Sequence, residues 1–240
     1  MLSLTLRKRR NCIIRLSFNQ KAIDIAPLDA RGWLADQPAA MINWVASVGR
    51  WQTYDTGQIV YQAGDAANGL YGLASGGLEL SFPLVSDEPV TIYRAEIGFW
   101  IGDSAELSGR PRMVSLIAAG PTRLLHIPSQ EVAAMLARYP QYWRSFYELS
   151  ARNVNAAMSL LAESLALTVR ARVCRRLLFL GGKETNVEIT QESLAKLLGV
   201  TRATLRRALV ELAQEGGVET GYGSLRVADA AILRRYIDEQ

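Results

Sequence analysis

One stretch, Ile189 to Leu209, constrains the fold of this 240-residue chain most strongly, because it reads as two short helices joined by a tight turn. Thr190 and Thr201 each stand directly before a predicted helix, where a hydroxyl caps free backbone N–H groups. Gly199 lies in the turn, which needs a residue that tolerates a positive φ angle. The pattern therefore predicts a helix-turn-helix. Ala195 is small where the two helices would cross closely. The helices share an apolar seam of Leu194, Leu198, Val200, Leu205 and Ala208.

The second helix of this motif is predicted to present a basic face, with three arginines pointing outward. Arginine side chains pair with phosphate oxygens and guanine edges in the major groove of DNA. An ordinary helical hairpin with a solvated basic face is the alternative. The caps, the glycine and the seam together favour a helix-turn-helix that binds DNA. The residues predicted to contact DNA are Thr190, Gln191, Thr201, Arg202, Ala203, Thr204, Arg206 and Arg207.

Charge is distributed unevenly along the chain, although the net charge is only +4. Residues 170–207 hold nine Lys and Arg against three acids, whereas residues 51–135 hold four against nine. This asymmetry predicts a nucleic-acid module joined to a neutral or acidic one.

Cysteine and histidine are scarce. Cys12 and Cys174 are too few for a cysteine-ligated iron–sulfur or structural zinc site. We expect Cys174 to be a buried small hydrophobe rather than a redox sensor, and His126, the single histidine, to occupy a partly exposed strand position. We therefore expect no iron–sulfur cluster, haem or metal site.

The N-terminus carries the basic run Arg7, Lys8, Arg9 and Arg10, and Arg15 interrupts the apolar residues behind it. That is a poor signal peptide, and no stretch approaches the roughly 18 to 20 apolar residues of a membrane span. We expect a cytoplasmic protein. Three interpretations of this segment remain open. It is a disordered arm, a stretch that precedes the true translation start, or an arm that contacts the DNA backbone.

The middle of the chain is predicted to form a small β-domain. Residues 28–48 look helical with a break at Pro38, and a short helix is predicted from Ser129 to about Arg138. Between them, short β-type segments alternate with glycine turns, which predicts an antiparallel sandwich or barrel. The predicted strands are 51–54, 59–61, 70–73, 78–82, 90–94, 113–118 and 124–127.

A long helical pattern follows Pro140 and runs to about Leu167. Apolar residues recur in it at steps of three and four, as in a coiled coil. We predict a dimerisation helix rather than a buried helix of one monomer, with Asn153 fixing the register by pairing with its symmetry mate. The predicted dimer interface consists of Phe146, Leu149, Asn153, Ala156 and Leu160.

The rest of the chain completes a winged helix: a helix at 169–180, the helix-turn-helix, a hairpin wing at 218–227 and a last helix at 228–239. The predicted fold class is α+β, with an antiparallel β-roll or jelly roll, a long helix and a C-terminal winged helix-turn-helix. The predicted divisions are a basic arm (1–27), a sensory roll (28–138), the dimerisation helix (139–167) and the DNA-binding domain (168–240).

These elements in this order resemble the CRP/FNR family of bacterial transcription regulators, over roughly residues 30–240. The resemblance implies a homodimer that reads a palindromic operator, an unknown small-molecule effector in the roll, and RNA polymerase as a partner. Arg202 and Arg207 match the arginines of the family's recognition helix. Ala203 replaces a glutamate that many members keep, and Arg206 adds a charge, so the operator is expected to differ from the common half-site.

Members that bind cyclic nucleotides carry a phosphate-binding cassette in the roll, and this chain departs from it. Gly102 and Arg112 match, Asp103 replaces the usual glutamate, and Met113 replaces a hydroxyl residue and is expected to fill space at the phosphate position. Arg112 could instead be a surface or salt-bridged arginine. Ala157 and Met158 align with two helix positions that reach adenine in family members. The candidate ligand residues are Gly102, Asp103, Ser104, Arg112, Met113, Ala157 and Met158.

These departures predict that cyclic AMP is not the ligand, and the alternative is a regulator that keeps weak cyclic AMP or cyclic GMP binding. Seven aromatic residues either line an apolar pocket or form core: Trp51, Tyr54, Tyr61, Tyr71, Tyr93, Phe99 and Trp100.

Two other function classes are disfavoured. A cyclic-nucleotide module of an enzyme or channel is disfavoured because the C-terminal part is predicted to bind DNA. An enzyme is disfavoured because no metal ligand set, P-loop or nucleophile elbow is present.

Overall fold

A computed structural model of the chain describes residues 22–83, 89–181, 186–187, 189–221 and 225–239. Residues 1–21 of the predicted arm, Cys12 among them, lie outside the described residues. The helices are α1 (Ala39–Val48), α2 (Asp103–Ser108), α3 (Ser129–Arg138), α4 (Trp143–Ala166), α5 (Val169–Gly181), α6 (Gln191–Leu198), α7 (Arg202–Gln214) and α8 (Ala230–Asp238). The strands are β1 (Arg50–Tyr54), β2 (Ile59–Tyr61), β3 (Gly69–Ser75), β4 (Leu78–Phe82), β5 (Val90–Ala95), β6 (Trp100–Ile101), β7 (Ser115–Ala118), β8 (Thr122–Pro128), β9 (Asn186–Val187), β10 (Val218–Thr220) and β11 (Leu225–Val227).

The strands before residue 129 form two antiparallel sheets, ordered β1-β8-β3-β6 and β2-β7-β4-β5. This confirms the predicted roll. The helix predicted over 28–48 is regular only from Ala39, because Pro38 limits the preceding residue to an extended backbone and Gln37 has ψ 157°. A 3-10 turn at Leu34–Asp36 precedes that break.

The first half of α4 is anchored to the roll of its own chain. The Phe146 ring lies 5.9 Å from Trp33 and 6.1 Å from Trp44, and Trp33 Nε1 donates to the Ser145 carbonyl at 2.8 Å. Phe146 is completely buried and belongs to the same apolar core as Leu125 of β8. This packing fixes which face of α4 turns toward the roll.

The C-terminal part is a winged helix with its own core, as predicted, and its strands are ordered β10-β11-β9. Strand β9 was not predicted, because its two residues pair with β11 and carry little local pattern. Cys174 is fully buried here, and burial raises the pKa of its thiol to about 12. In the described ranges, no helix is both long and apolar enough to cross a membrane.

Candidate DNA interface and effector cavity

The helix-turn-helix is built by local hydrogen bonds. Thr190 Oγ1 accepts from the Ser193 amide and Thr201 Oγ1 accepts from the Thr204 amide, each at 3.1 Å. The turn between α6 and α7 passes through Gly199 at φ 62°, a backbone conformation that costs glycine little. Both predicted caps and the predicted turn residue are therefore confirmed.

Helix α7 presents an exposed basic face, while its apolar face is buried in the winged-helix core. Arg202, Ala203, Arg206 and Arg207 are exposed, and Thr204 is half-buried beside them. One guanidinium nitrogen of Arg202 lies 3.9 Å from Glu192, a contact of two solvated side chains that adds little stability. Within the described ranges, Arg206 and Arg207 form no ion pair, and both side chains are exposed.

The structure corrects the predicted dimer interface. Phe146 and Leu149 are 0% and 1% exposed inside their own chain, so they have no surface to offer a second copy. Asn153 Nδ2 donates to the Trp100 carbonyl at 3.1 Å and to Asp103 Oδ1 at 2.8 Å, so its amide is used within the chain rather than by a symmetry mate. Ala156 and Leu160 are half-buried on this same face.

A different face of α4 carries a row of apolar side chains, which we call the apolar stripe. Most of its side chains are strongly exposed, with Met158 at 59%, Leu161 at 53% and Leu165 at 80%. The steps alternate between four and three residues, which is the a/d spacing of a coiled coil. The stripe consists of Tyr147, Ala151, Val154, Met158, Leu161 and Leu165.

A cavity of about 690 Å³ lies between the roll, α4 and the helix-turn-helix, within the size range of small-molecule sites. We call it the effector cavity. Of the candidate ligand residues, six lie on its wall: Gly102, Asp103, Ser104, Arg112, Met113 and Ala157. Met158 is not among its lining residues and is exposed on the apolar stripe.

Arg112 is buried, and it forms no salt bridge with any residue that the structure describes. It is 4% exposed, its Nη2 donates to Asn68 Oδ1 at 2.6 Å and to the Gly69 carbonyl at 2.8 Å, and Nη1 donates to the Gly102 carbonyl at 3.3 Å. The Tyr61 ring centre lies 4.2 Å from the guanidinium carbon. Arg112 Nε is buried and has no acceptor among the described residues. A buried cation without a carboxylate partner is costly unless an anion joins it.

Asp103 is engaged by α4 rather than by Arg112. It is 3% exposed, and its two oxygens accept hydrogen bonds from Ser150 Oγ at 2.6 Å and Asn153 Nδ2 at 2.8 Å. The acid that would accept from a ribose hydroxyl therefore already holds the cassette to α4.

The remaining cassette residues lie near solvent. Ser104 is exposed, and Met113 is 64% exposed, which is more surface than a side chain filling a phosphate position would keep. Of the seven aromatic residues, Tyr61, Tyr93 and Phe99 line the effector cavity, whereas Tyr71 and Trp100 are buried in the core and Trp51 and Tyr54 pack beside it.

The described ranges hold no group of three or more His, Cys, Asp and Glu that could bind a metal ion. His126 occupies a half-buried position on β8, as predicted, with Nε2 2.9 Å from the Asn68 carbonyl oxygen and its ring stacked on Tyr71. Burial lowers the pKa of His126 below its usual value.

The winged helix also contacts the roll directly. The Phe179 ring of α5 lies 6.4 Å from Tyr93 of β5. Arg176, 8% exposed, interacts electrostatically with Glu96, and burial lowers the pKa of Arg176 and raises that of Glu96. Lys196, Leu197, Leu198 and Gly199 of the reader line the effector cavity. Sequence reasoning missed this contact.

We expect Gly102→Ala to lower the free energy of unfolding by more than about 2 kcal/mol. Gly102 has φ 112°, and an added Cβ would lie 2.5 Å from the Gly69 carbonyl oxygen and 2.8 Å from Arg112 Nη1. Gly109→Ala is the control, since φ is 66° there but no atom lies within 4 Å of the added Cβ. Chemical denaturation measures both, and equal losses would show that the crowding around Arg112 is unimportant.

Comparison with known proteins agrees with this architecture. Residues 51–139 match the cyclic nucleotide-binding domain and residues 171–236 match the Crp-like helix-turn-helix domain. The cyclic AMP receptor protein of Thermus thermophilus is 31% identical over 185 residues, covering 75% of this chain and 84% of that protein.

Solved structures show the same fold at lower identity. FixK2 of Bradyrhizobium japonicum superposes with a TM-score of 0.70 at 17% identity, covering 79% of this chain and 97% of that one. The c-di-GMP responsive regulator CLP of Xanthomonas campestris gives a TM-score of 0.65 at 18% identity, covering 80% and 100%. With a cyclic-nucleotide-binding-type roll followed by a Crp-like reader, the chain belongs to the CRP/FNR family of transcriptional regulators.

Proposed function

We propose that this regulator acts as a homodimer that places two copies of α7 on the half-sites of a palindromic operator. The observation that carries the proposal is the exposed basic face of α7 on a helix-turn-helix whose caps and turn are intact. Two-fold symmetry of the protein implies half-sites about one helical turn apart. Selection of bound sequences from random DNA tests this, because a symmetric dimer enriches a symmetric motif.

The apolar stripe supports the dimer. A soluble helix rarely leaves a continuous row of large apolar side chains in water, and a second copy would bury them at about 25 cal/mol per Å². The row that contains Phe146 and Asn153 packs on the roll, and the stripe lies outside that packing. Two of its residues, Val154 and Leu161, also line the effector cavity.

The operator is proposed to differ from the common family half-site. Ala203 is exposed at the start of α7, and its methyl group can contact a thymine methyl but cannot accept a hydrogen bond from cytosine. Arg206 adds a cation one turn further along. We propose that Thr190, Gln191, Thr201 and Thr204 contact the backbone near these bases.

We propose that the effector is not cyclic AMP. The Asp103 oxygens accept from α4, Met113 offers no hydroxyl, and Ala157 cannot hydrogen-bond a base. Relatives are named for different signals, cyclic AMP in Thermus and c-di-GMP in Xanthomonas, so family membership does not name this one. The retained Arg112 favours the second candidate, a regulator with weak cyclic nucleotide binding.

Calorimetric titration with cyclic AMP is expected to show no binding in the micromolar range. Each polar group of a ligand that is buried without a hydrogen-bond partner lowers its affinity by about 1–3 kcal/mol. Micromolar binding, abolished by Arg112→Gln, would support the second candidate instead.

The remaining assignments follow from this role. We propose a cytoplasmic regulator without enzymatic activity that contacts RNA polymerase at its promoters. We keep the divisions 28–138 for the sensory roll, 139–167 for the dimerisation helix and 168–240 for the DNA-binding domain. The described end of the predicted arm packs with the roll, since Ile25 is 4% exposed within its core, and the basic run at 7–10 lies outside the described residues.

A further inference from the structure

The effector cavity carries an excess of positive charge on its walls. Arg112 contributes a buried guanidinium from the roll and Arg172 contributes a second guanidinium from the winged helix, whereas Lys196 pairs with Glu192 at 3.5 Å. Arg172 Nη1 donates to the Leu198 carbonyl at 3.2 Å, and its Nε is buried without an acceptor among the described residues. The Asp103 carboxylate lies on the same wall, but both its oxygens already accept hydrogen bonds. The cavity therefore favours an anion.

The surface between these cations is mainly apolar. It is formed by the β4–β5 side of the roll and by the middle of α4. Ile92 is 42% exposed and Val90 37%, so apolar side chains of β5 are left uncovered at this wall. The apolar lining residues from the roll and α4 include Leu80, Val90, Ile92, Phe99, Ile101 and Leu160.

We propose that the effector cavity binds an organic carboxylate with an apolar body, its head at Arg112 and its body along β5 and α4. This rests on the proposed function, since it names the effector class of the same regulator. A carboxylate supplies the acceptor that Arg112 Nε lacks. An apolar body needs no partner for a ribose or a base, and Asp103 and Ala157 offer none.

A ligand bound in this position also lies against the helix-turn-helix. Leu197, Leu198 and Gly199 also line the cavity, and they precede Thr201, the N-cap of α7, by two to four residues. A ligand whose apolar part is long enough to cross the cavity contacts this turn. Ligand binding then favours the position of the helix-turn-helix that makes the better contacts with the ligand.

Isothermal titration calorimetry with octanoate, 1-octanol and cyclic AMP tests the proposal on the full chain. Octanoate and octanol share an apolar body and differ in the charged head. We expect octanoate to bind at least about tenfold more tightly than octanol, as for a hydrogen bond to a charged group. We expect cyclic AMP to bind more weakly than octanoate.

Two variants separate the head from the body. Arg112→Gln should reduce octanoate affinity to that of octanol, whereas Ile92→Ser should weaken both probes by a similar factor. Arg123→Gln is the matched control, because Arg123 stacks on Trp51 at 3.6 Å on the roll and is not a cavity residue. It should leave all affinities unchanged.

Absence of octanoate binding, equal binding of octanoate and octanol, or tighter binding of cyclic AMP would each overturn the proposal. The three wild-type titrations decide this even if Arg112→Gln does not fold. DNA binding is measured separately on the same preparation by fluorescence anisotropy. A wild-type protein that binds octanoate but shows no sequence-specific DNA binding would contradict the proposed function and leave the proposed effector class unaffected.

Discussion

The Met158→Glu variant is expected to sediment as a monomer of 26.4 kDa and to lose operator binding. Met158 is 59% exposed at the centre of the apolar stripe and is not among the lining residues of the effector cavity. In a symmetric dimer, each copy would bury a carboxylate in the seam, which costs several kcal/mol without a partner. Sedimentation velocity and anisotropy with operator DNA measure the two effects.

Ser159→Glu is the matched control for this variant. Ser159 is the next residue on α4, is exposed, and lies off the a/d positions of the stripe. It adds the same charge and should stay dimeric and bind DNA normally. A dimeric Met158→Glu protein would show that the stripe is not the seam.

Arg202→Ala is expected to weaken specific operator binding by about 1–3 kcal/mol, or roughly 5- to 150-fold, if the side chain reads a guanine. Arg202 begins α7, and its side chain is 75% exposed and held only by a distant contact with Glu192. Binding to random DNA should fall much less, because phosphate contacts supply most of that affinity. Anisotropy titrations with operator and scrambled duplexes give the ratio.

Arg234→Ala provides the control in the same domain. Arg234 is exposed on α8, away from the helix-turn-helix in sequence, so its loss removes the same charge. It should leave the ratio of operator to scrambled affinity unchanged. An Arg202→Ala protein that keeps this ratio would remove Arg202 from base reading.

Features set by neighbouring residues could be predicted from the sequence. The caps at Thr190 and Thr201 and the turn at Gly199 depend on bonds within four residues. Strands with alternating or apolar runs, such as β2 and β4, were found at the predicted positions. The two-residue strands β6 and β9 were not, since pairing with distant strands defines them.

The face of α4 could not be read from periodicity alone. Two apolar rows run along the helix, and only tertiary packing decides which one meets the roll. The burial of Phe146 and the hydrogen bonds of Asn153 show that the row predicted to form the dimer interface is the one that packs on the roll.

The surroundings of Arg112 were equally hidden in the sequence. Its side-chain acceptor Asn68 is 44 positions away, and Ser150 lies 47 positions from Asp103. No local pattern links them, so the buried and incompletely paired guanidinium emerged only from the fold.

Selection of bound DNA from a random duplex pool tests the central claim most directly, that two copies of this chain read DNA as a symmetric pair. We predict an enriched palindrome with half-sites about one helical turn apart, and loss of enrichment with the Met158→Glu protein. An enriched single half-site without symmetry, or no enriched sequence at all, would contradict the account.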